Sequence, residues 1–294
     1  SRQPKKAENP VNLVLKKRGW VPGETLIIDG PDAGGSEQRM TEIAAALVEK
    51  KVDVIWAVGP EAALAAARAT TSIPIVFWGV MYPVEQGLVD SIARPGRNVT
   101  GVAFTASPES DAKRLELLRE IAPAARRLAF VSVQSSFDTV SGRRARVVTL
   151  WSDAARALGY EFREFPVEKR EDFPAAFAAI LEWGAQALVG QPSTLINRER
   201  ASIIEFANSN RMPSAFTLWD YVESGGLLSY GIDWRPTMAQ SIEYVDRILR
   251  GANPAELPVD LPTKYVLAVN LRTAKALGLT VPQSILLRAD RLVE

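Results

Sequence analysis

Apolar, β-branched runs alternate with stretches of helical spacing along nearly the whole chain. Residues 41–50 carry small apolar residues at helical intervals, DVIWAV (53–58) predicts a strand, and 61–69 predicts an Ala-rich helix. IPIVFW (73–78) predicts a second strand, 84–93 a helix, VTGVAF (99–104) a third strand and 108–121 an amphipathic helix. This alternation is the mark of a parallel sheet with helices on its faces.

A second set follows with the same rhythm. LAFVSV (128–133), 160–165, AQALVG (185–190), SAFT (214–217) and GLLSYG (226–231) predict strands, and 143–158, 172–183 and 196–208 predict helices between them. The fold class is therefore α/β, with two Rossmann-like lobes built on parallel sheets and joined near residue 105. A helix at 236–249, a Pro-rich stretch at 254–262, the strand TKYVLAV and a short helix ending at Gly278 complete the chain. In two-lobed proteins such a tail commonly crosses back to the first lobe and returns.

Composition narrows the function. The chain has 294 residues, a length that suits two lobes of ordinary domain size. Its 35 Lys and Arg nearly balance 34 Asp and Glu, which leaves no basic field for nucleic acid or anionic lipid. There is no Cys and no His, so thiolate nucleophiles, disulfides and the commonest general base and zinc ligand are all missing. No apolar run approaches the roughly 18 residues that span a bilayer, so no membrane insertion is expected. The polar opening SRQPKKAENP lacks the apolar core of a secretory signal.

Ligands of open parallel sheets bind beyond the carboxyl ends of the strands. That rule selects the loops at 59–61, 79–83, 105–106, 134–137, 191–194, 217–220 and 230–233. In the first, the N–H groups following Gly59-Pro60 could receive a carboxylate at a helix N-terminus; a plain tight turn explains the same residues equally well. No glycine-rich phosphate loop follows any strand, so no nucleotide or other cofactor is expected. Aromatic residues recur at the predicted strand ends: Trp78, Tyr82, Phe104, Phe137, Trp219, Tyr221 and Tyr230. Each taken singly reads as ordinary packing, whereas the set favours a flat apolar ligand over a sugar. The carboxylates Glu61, Asp220 and Asp233 are placed to pair with a ligand ammonium or hydroxyl, and equally to cap or face solvent. The candidate ligand-binding set is Gly59, Pro60, Glu61, Tyr82, Phe104, Thr105, Gln134, Ser135, Phe137, Gln191, Trp219, Asp220, Tyr230 and Asp233, with no catalytic or metal-binding residue.

Several stretches resemble one family. KVDVIWAVGPEAALAAARATTSIPIVF, PVEQGLVDSIARPGRNVTGVAF, KRLELLREIAP, YVESGGLLSYG and the run from YVDRILRGANPAELPVDLPTKYVLAV to AKALGLTVPQSILLRAD are similar to the extracytoplasmic substrate-binding proteins of ABC importers. The better understood members of that family take aromatic amino acids such as tryptophan. The resemblance covers about Trp20 to Glu294 and implies a type I periplasmic-binding fold with a hinge between lobes. It implies residues 1–104 with about 232–262 in one lobe and 105–231 with about 263–294 in the other. It also implies a small-molecule ligand in the interlobe cleft, a membrane permease as partner, and a periplasmic location after removal of a signal peptide. By position, the Gly59-Pro60-Glu61 loop resembles the family segment that meets the ligand from the first lobe, and Ser229-Tyr230-Gly231 resembles a hinge-side wall.

The sequence departs from the family at four places. Tyr82-Pro83 and Gln191-Pro192 stand where members often have Asp-Pro, and Pro60 stands where a small hydroxyl residue is common. These changes remove polar groups suited to an amino acid and add a ring, which keeps a non-amino-acid aromatic or another carboxylate open as ligand. At the N-terminus the family's first strand has no clear counterpart; VNLVL reads as a helix tail in its alignment with KKRGW, and the open sheet edge could be filled by another chain. The other function classes are the small-molecule-sensing core of a regulatory or signalling system, for which no DNA-reading or signalling domain is present, and a Rossmann-type enzyme, for which no convergent acid–base set is found.

Overall fold

The computed structural model describes residues 10–105, 109–133 and 143–294. Two sheets organise them. The first is β1 (Ile55–Val58), β2 (Ile75–Met81) and β3 (Val99–Thr105), all parallel, in the order β1-β2-β3. Register aligns Ile55 with Ile75 and Ile75 with Val99. Every residue of β3 is buried, as expected of a strand covered on both faces.

The second sheet holds β4 (Arg127–Val133), β5 (Glu161–Val167), β6 (Ala187–Gly190), β7 (Ser214–Phe216), β8 (Leu228–Ile232), β9 (Tyr265–Asn270) and β10 (Arg291–Val293), in the order β10-β9-β8-β7-β6-β4-β5. Its pairs are parallel except β8 with β9, where Tyr230 faces Leu267. The exception to the expected all-parallel sheet has a simple cause. The chain leaves β8, forms the helix Trp234–Leu249, and runs along β3 before entering β9 from the opposite end. On that excursion Asp260 N–H donates to the Gly101 carbonyl at 2.9 Å, Ala103 N–H donates to the Asp260 carbonyl at 2.9 Å, and Thr100 Oγ1 donates to the Leu257 carbonyl at 2.7 Å. The tail thus crosses to the first sheet and returns.

Two expected helices differ. Residues 84–93 form turns followed by bends: Pro83 starts them and Gly87, at φ 69°, adopts a conformation that favours glycine. Leu88 and Val89 are nonetheless buried, so the apolar spacing marked core positions without marking a helix. The helix expected at 196–208 is split at Glu199 into Thr194–Arg198 and Arg200–Ser209. VNLVL lies in the helix Pro10–Lys17, whose Leu15 is buried. The neighbouring Trp20 donates from Nε1 to Asp246 Oδ1 at 2.7 Å, docking this segment on Trp234–Leu249.

Where the two sheets meet, polar side chains form one buried node. Tyr82, just after β2, is fully buried and donates its hydroxyl to Asp111. Asp111 pairs with Arg114 at 2.7 Å, both on the helix Glu109–Ile121, and Arg114 Nε donates to the Tyr230 carbonyl of β8 at 2.9 Å. Asp111 and Arg114 are each about 1% exposed. Burial, followed by the Asp111 charge, pushes the Tyr82 hydroxyl far above its ordinary value, so it remains a donor across the working pH range. A buried cation that loses its partner costs about 3–5 kcal/mol. Asp111→Asn is expected to lose about that much in urea unfolding, whereas Asp111→Leu combined with Arg114→Met recovers most of it; equal losses in both variants would refute the assignment.

Candidate functional site

The carboxyl ends of β1, β2 and β3 face those of β6 and β7 across a cavity of about 130 Å³. The first sheet contributes Val58, Gly59, Pro60, Trp78, Gly79 and Phe104, and the second contributes the loops at 190–194 and 216–218 together with Asn197 and Tyr221. Ligand space beyond strand carboxyl ends follows from the parallel sheet, because that is where the turns into helices leave backbone and side chains free. An aromatic frame surrounds it. Trp78 donates from Nε1 to Thr237 Oγ1 at 3.1 Å, which fixes the indole, and it meets Phe104 edge-on at 5.4 Å. From the other sheet, Phe216 stacks on Tyr221 at 4.5 Å.

Two glycines make the close approach possible. Gly79, at φ 84°, lies beneath the Phe104 ring, whose Cζ would be 3.2 Å from an added Cβ. Gly59, at φ 86°, precedes the helix Pro60–Ala69, and a Cβ there would sit 2.6 Å from Thr194 Oγ1 of the opposite sheet. Thr194 Oγ1 in turn donates to Glu61 Oε2 at 3.3 Å. Further out, Arg198 Nη2 reaches both Asp32 oxygens at 2.6 and 2.5 Å. The Gly34 N–H, followed by the Arg198 guanidinium, holds the Asp32 carboxyl below its ordinary value.

None of the described residues lining the cavity is Asp, Glu, Lys or Arg. Its polar side chains are Gln191, Ser193, Thr194, Asn197, Thr217 and Tyr221. Ser193 Oγ is occupied by the Ile196 N–H at 3.1 Å. The Thr217 hydroxyl is sealed with no partner among the described residues. Burial raises the Tyr221 hydroxyl well above its ordinary value, keeping it neutral. Such a cavity can stack a flat ring and donate hydrogen bonds to it, and its described lining presents no charged group for chemistry. Among the described residues no cluster of acidic groups could hold a metal, and no helix is long and apolar enough to cross a membrane.

Of the expected residues, Gly59, Pro60, Phe104 and Gln191 line the cavity, and Glu61 stands behind Pro60 with its carboxylate on Thr194. Tyr82 is absorbed in the buried node, and the Thr105 carbonyl accepts from the Tyr82 N–H at 2.9 Å. Trp219 packs with Val222, Val266 and Ala268 and carries Arg235 and Arg291 over its ring at 4.2 and 4.1 Å. Asp220 accepts from Trp234 Nε1, Tyr230 stacks on Tyr265 at 5.5 Å, and Asp233 caps the helix Trp234–Leu249. None of these lines the cavity. Gln134, Ser135 and Phe137 lie outside the described residues. The candidate set omitted Trp78, Thr194, Phe216, Thr217 and Tyr221; Trp78 and Tyr221 carried the aromatic signal, while Phe216 sits in an apolar run indistinguishable from core.

The sequence model described as ABC transporter substrate binding protein matches residues 6–293. A tyrosine-binding protein of Clostridioides difficile is 28% identical over 274 residues, covering 93% of this chain and 77% of that protein. The crystal structure of the ABC domain in complex with L-Trp from Streptococcus pneumoniae superposes with a TM-score of 0.84 at 22% identity, covering 97% of this chain and 94% of the other. The ligand-free, open structure of a substrate-binding protein with adhesive properties from Clostridium difficile is 25% identical with a TM-score of 0.61, covering 97% and 92%. With the family matched across nearly its whole length on a type I periplasmic-binding fold, the chain belongs to the ABC transporter substrate-binding proteins, which bind solutes and are not enzymes.

Proposed function

We propose that the chain captures a small aromatic ligand outside the cytoplasmic membrane, in the periplasm, and delivers it to the permease of an ABC importer. The observation that carries the reading is the uncharged cavity between the two sheets, framed by Trp78 and Phe104 on one side and by the Phe216–Tyr221 pair on the other. Its volume of about 130 Å³ is close to the roughly 150 Å³ of an engineered cavity that takes up benzene. One six-membered ring fits, with a polar substituent at the mouth. The tyrosine and tryptophan in the names of two relatives are ligands of the same aromatic kind.

Capture works through closure. The lobes, residues 1–104 with about 232–262 and 105–231 with about 263–294, meet through Asp32–Arg198, Glu61–Thr194 and the Gly59 contact. Such contacts exist only when the cleft is shut. The higher similarity to the L-Trp complex than to the open ligand-free structure supports a closed form. A ligand that touches both walls favours that form by its differential affinity, and a permease can read the result.

Three outcomes are expected. In a thermal-shift panel, monocyclic aromatic acids and amides raise Tm by several degrees, since a ligand at about 100 times its Kd adds about 2.7 kcal/mol; a panel in which sugars shift Tm and aromatics do not would refute the reading. Gly59→Ala weakens binding measured by calorimetry, and the loss shrinks in a Thr194→Ala background because the atom the new Cβ strikes is gone; an equal loss in both backgrounds would place the effect outside closure. The Asp32–Arg198 pair acts on pH with a fixed sign. Its carboxyl is held below the ordinary value, so its support for closure is complete above about pH 4 and is lost as pH falls through the lowered value. The pair is exposed and contributes at most about 1 kcal/mol. Interlobe fluorescence transfer should fall in that range in the native protein, and Arg198→Ala should abolish that component.

A further inference from the structure

One cavity side chain has its direction set by the backbone. Gln191 is 4% exposed, and its own N–H donates to the Val131 carbonyl at 2.8 Å. The Val133 N–H donates to its Oε1 at 3.0 Å. A backbone N–H can only donate, so the side-chain atom that faces it must be the carbonyl oxygen, and the planar amide then turns Nε2 the other way. Nε2 makes no hydrogen bond among the described residues and is not one of the sealed polar atoms. Gln191 lines the cavity, so that end of the amide opens onto ligand space.

We propose that Gln191 reads the polar end of the ligand as a hydrogen-bond acceptor, which makes the ligand a monocyclic aromatic carrying a carbonyl or carboxylate oxygen. This rests on the aromatic-ligand reading above and adds the headgroup to it. The consequence is directional. A ligand oxygen gains an N–H partner, whereas an ammonium would meet another donor in a place where none of the described lining side chains supplies a compensating charge. A site built to donate to a ligand rejects one that cannot accept. Gln191→Glu reverses the reading with almost no change of shape, because one carboxylate oxygen still accepts from Val133 while the other turns an acceptor toward the ligand.

The test is titration calorimetry of the whole chain with phenylacetamide, phenylacetate and phenethylamine, which share a ring and differ in headgroup. The native protein is expected to bind the amide or the acid at least about ten-fold tighter than the amine, and Gln191→Glu to invert that order. Amine preferred by the native protein, or an order unchanged by Gln191→Glu, overturns the role of Gln191 and leaves the aromatic cleft standing. No binding of any of the three overturns the aromatic cleft and this inference with it. Should Gln191→Glu fail to fold, the order shown by the native protein decides.

Discussion

A cation buried at the joint between the two sheets constrains much of the rest. Arg114 cannot be hydrated where it lies, so it must be satisfied from within, and the node around it draws on three separate stretches of chain. Asp111 supplies charge from the same helix, Tyr230 supplies a carbonyl from β8, and Tyr82 closes the node through Asp111 from the end of β2. The first sheet is thereby tied to the second at this joint, while the described contacts near the cavity, Asp32–Arg198 and Thr194–Glu61, are exposed or long. Burial pushes the Asp111 carboxyl up and the Arg114 guanidinium acts against it, so removing either partner would leave the other buried and uncompensated.

The contacts between the two sheets differ in strength, from the buried node at the joint to the exposed pair near the cavity. The Asp32–Arg198 pair is solvated and screened, and the Thr194–Glu61 bond is long at 3.3 Å. Neither is by itself a strong tie between the two sheets. On the proposed function, a ring held between Trp78 and Phe216 would remove apolar surface from water on both walls at once. Closure on the ligand, as proposed above, would then follow occupancy.

How far this was legible in the sequence depends on what each residue does. The alternating pattern identified two α/β lobes because parallel strands buried on both faces must be apolar throughout, as β3 is. It failed at 84–93, where apolar spacing marked the buried Leu88 and Val89 but Pro83 and Gly87 shaped the backbone. The strand-end rule found Gly59, Pro60, Phe104 and Gln191, since position at a strand terminus is a property of the local sequence. It could not separate these from Tyr82, Trp219 or Tyr230, which share the strand-end signal and differ only in tertiary partner. Phe216 was missed for the converse reason: a ring that faces a cavity and a ring that faces a core look alike until the opposite wall is known.

The distribution of polarity within the cavity follows from the same economy. An ion placed in so small an apolar space would need a partner of its own, and none of the described lining residues offers one. A primary amide avoids the difficulty, because it can be oriented by one backbone N–H and still present donors on its far side without net charge. Gln191 meets that description: the strand β4 that fixes its oxygen also pairs with β6, the strand that carries it to the cleft. Orientation of the donor is thus a consequence of sheet register, and it is set before any ligand arrives. A side chain held in this way need not be ordered on binding, so less conformational entropy is lost when the ligand enters.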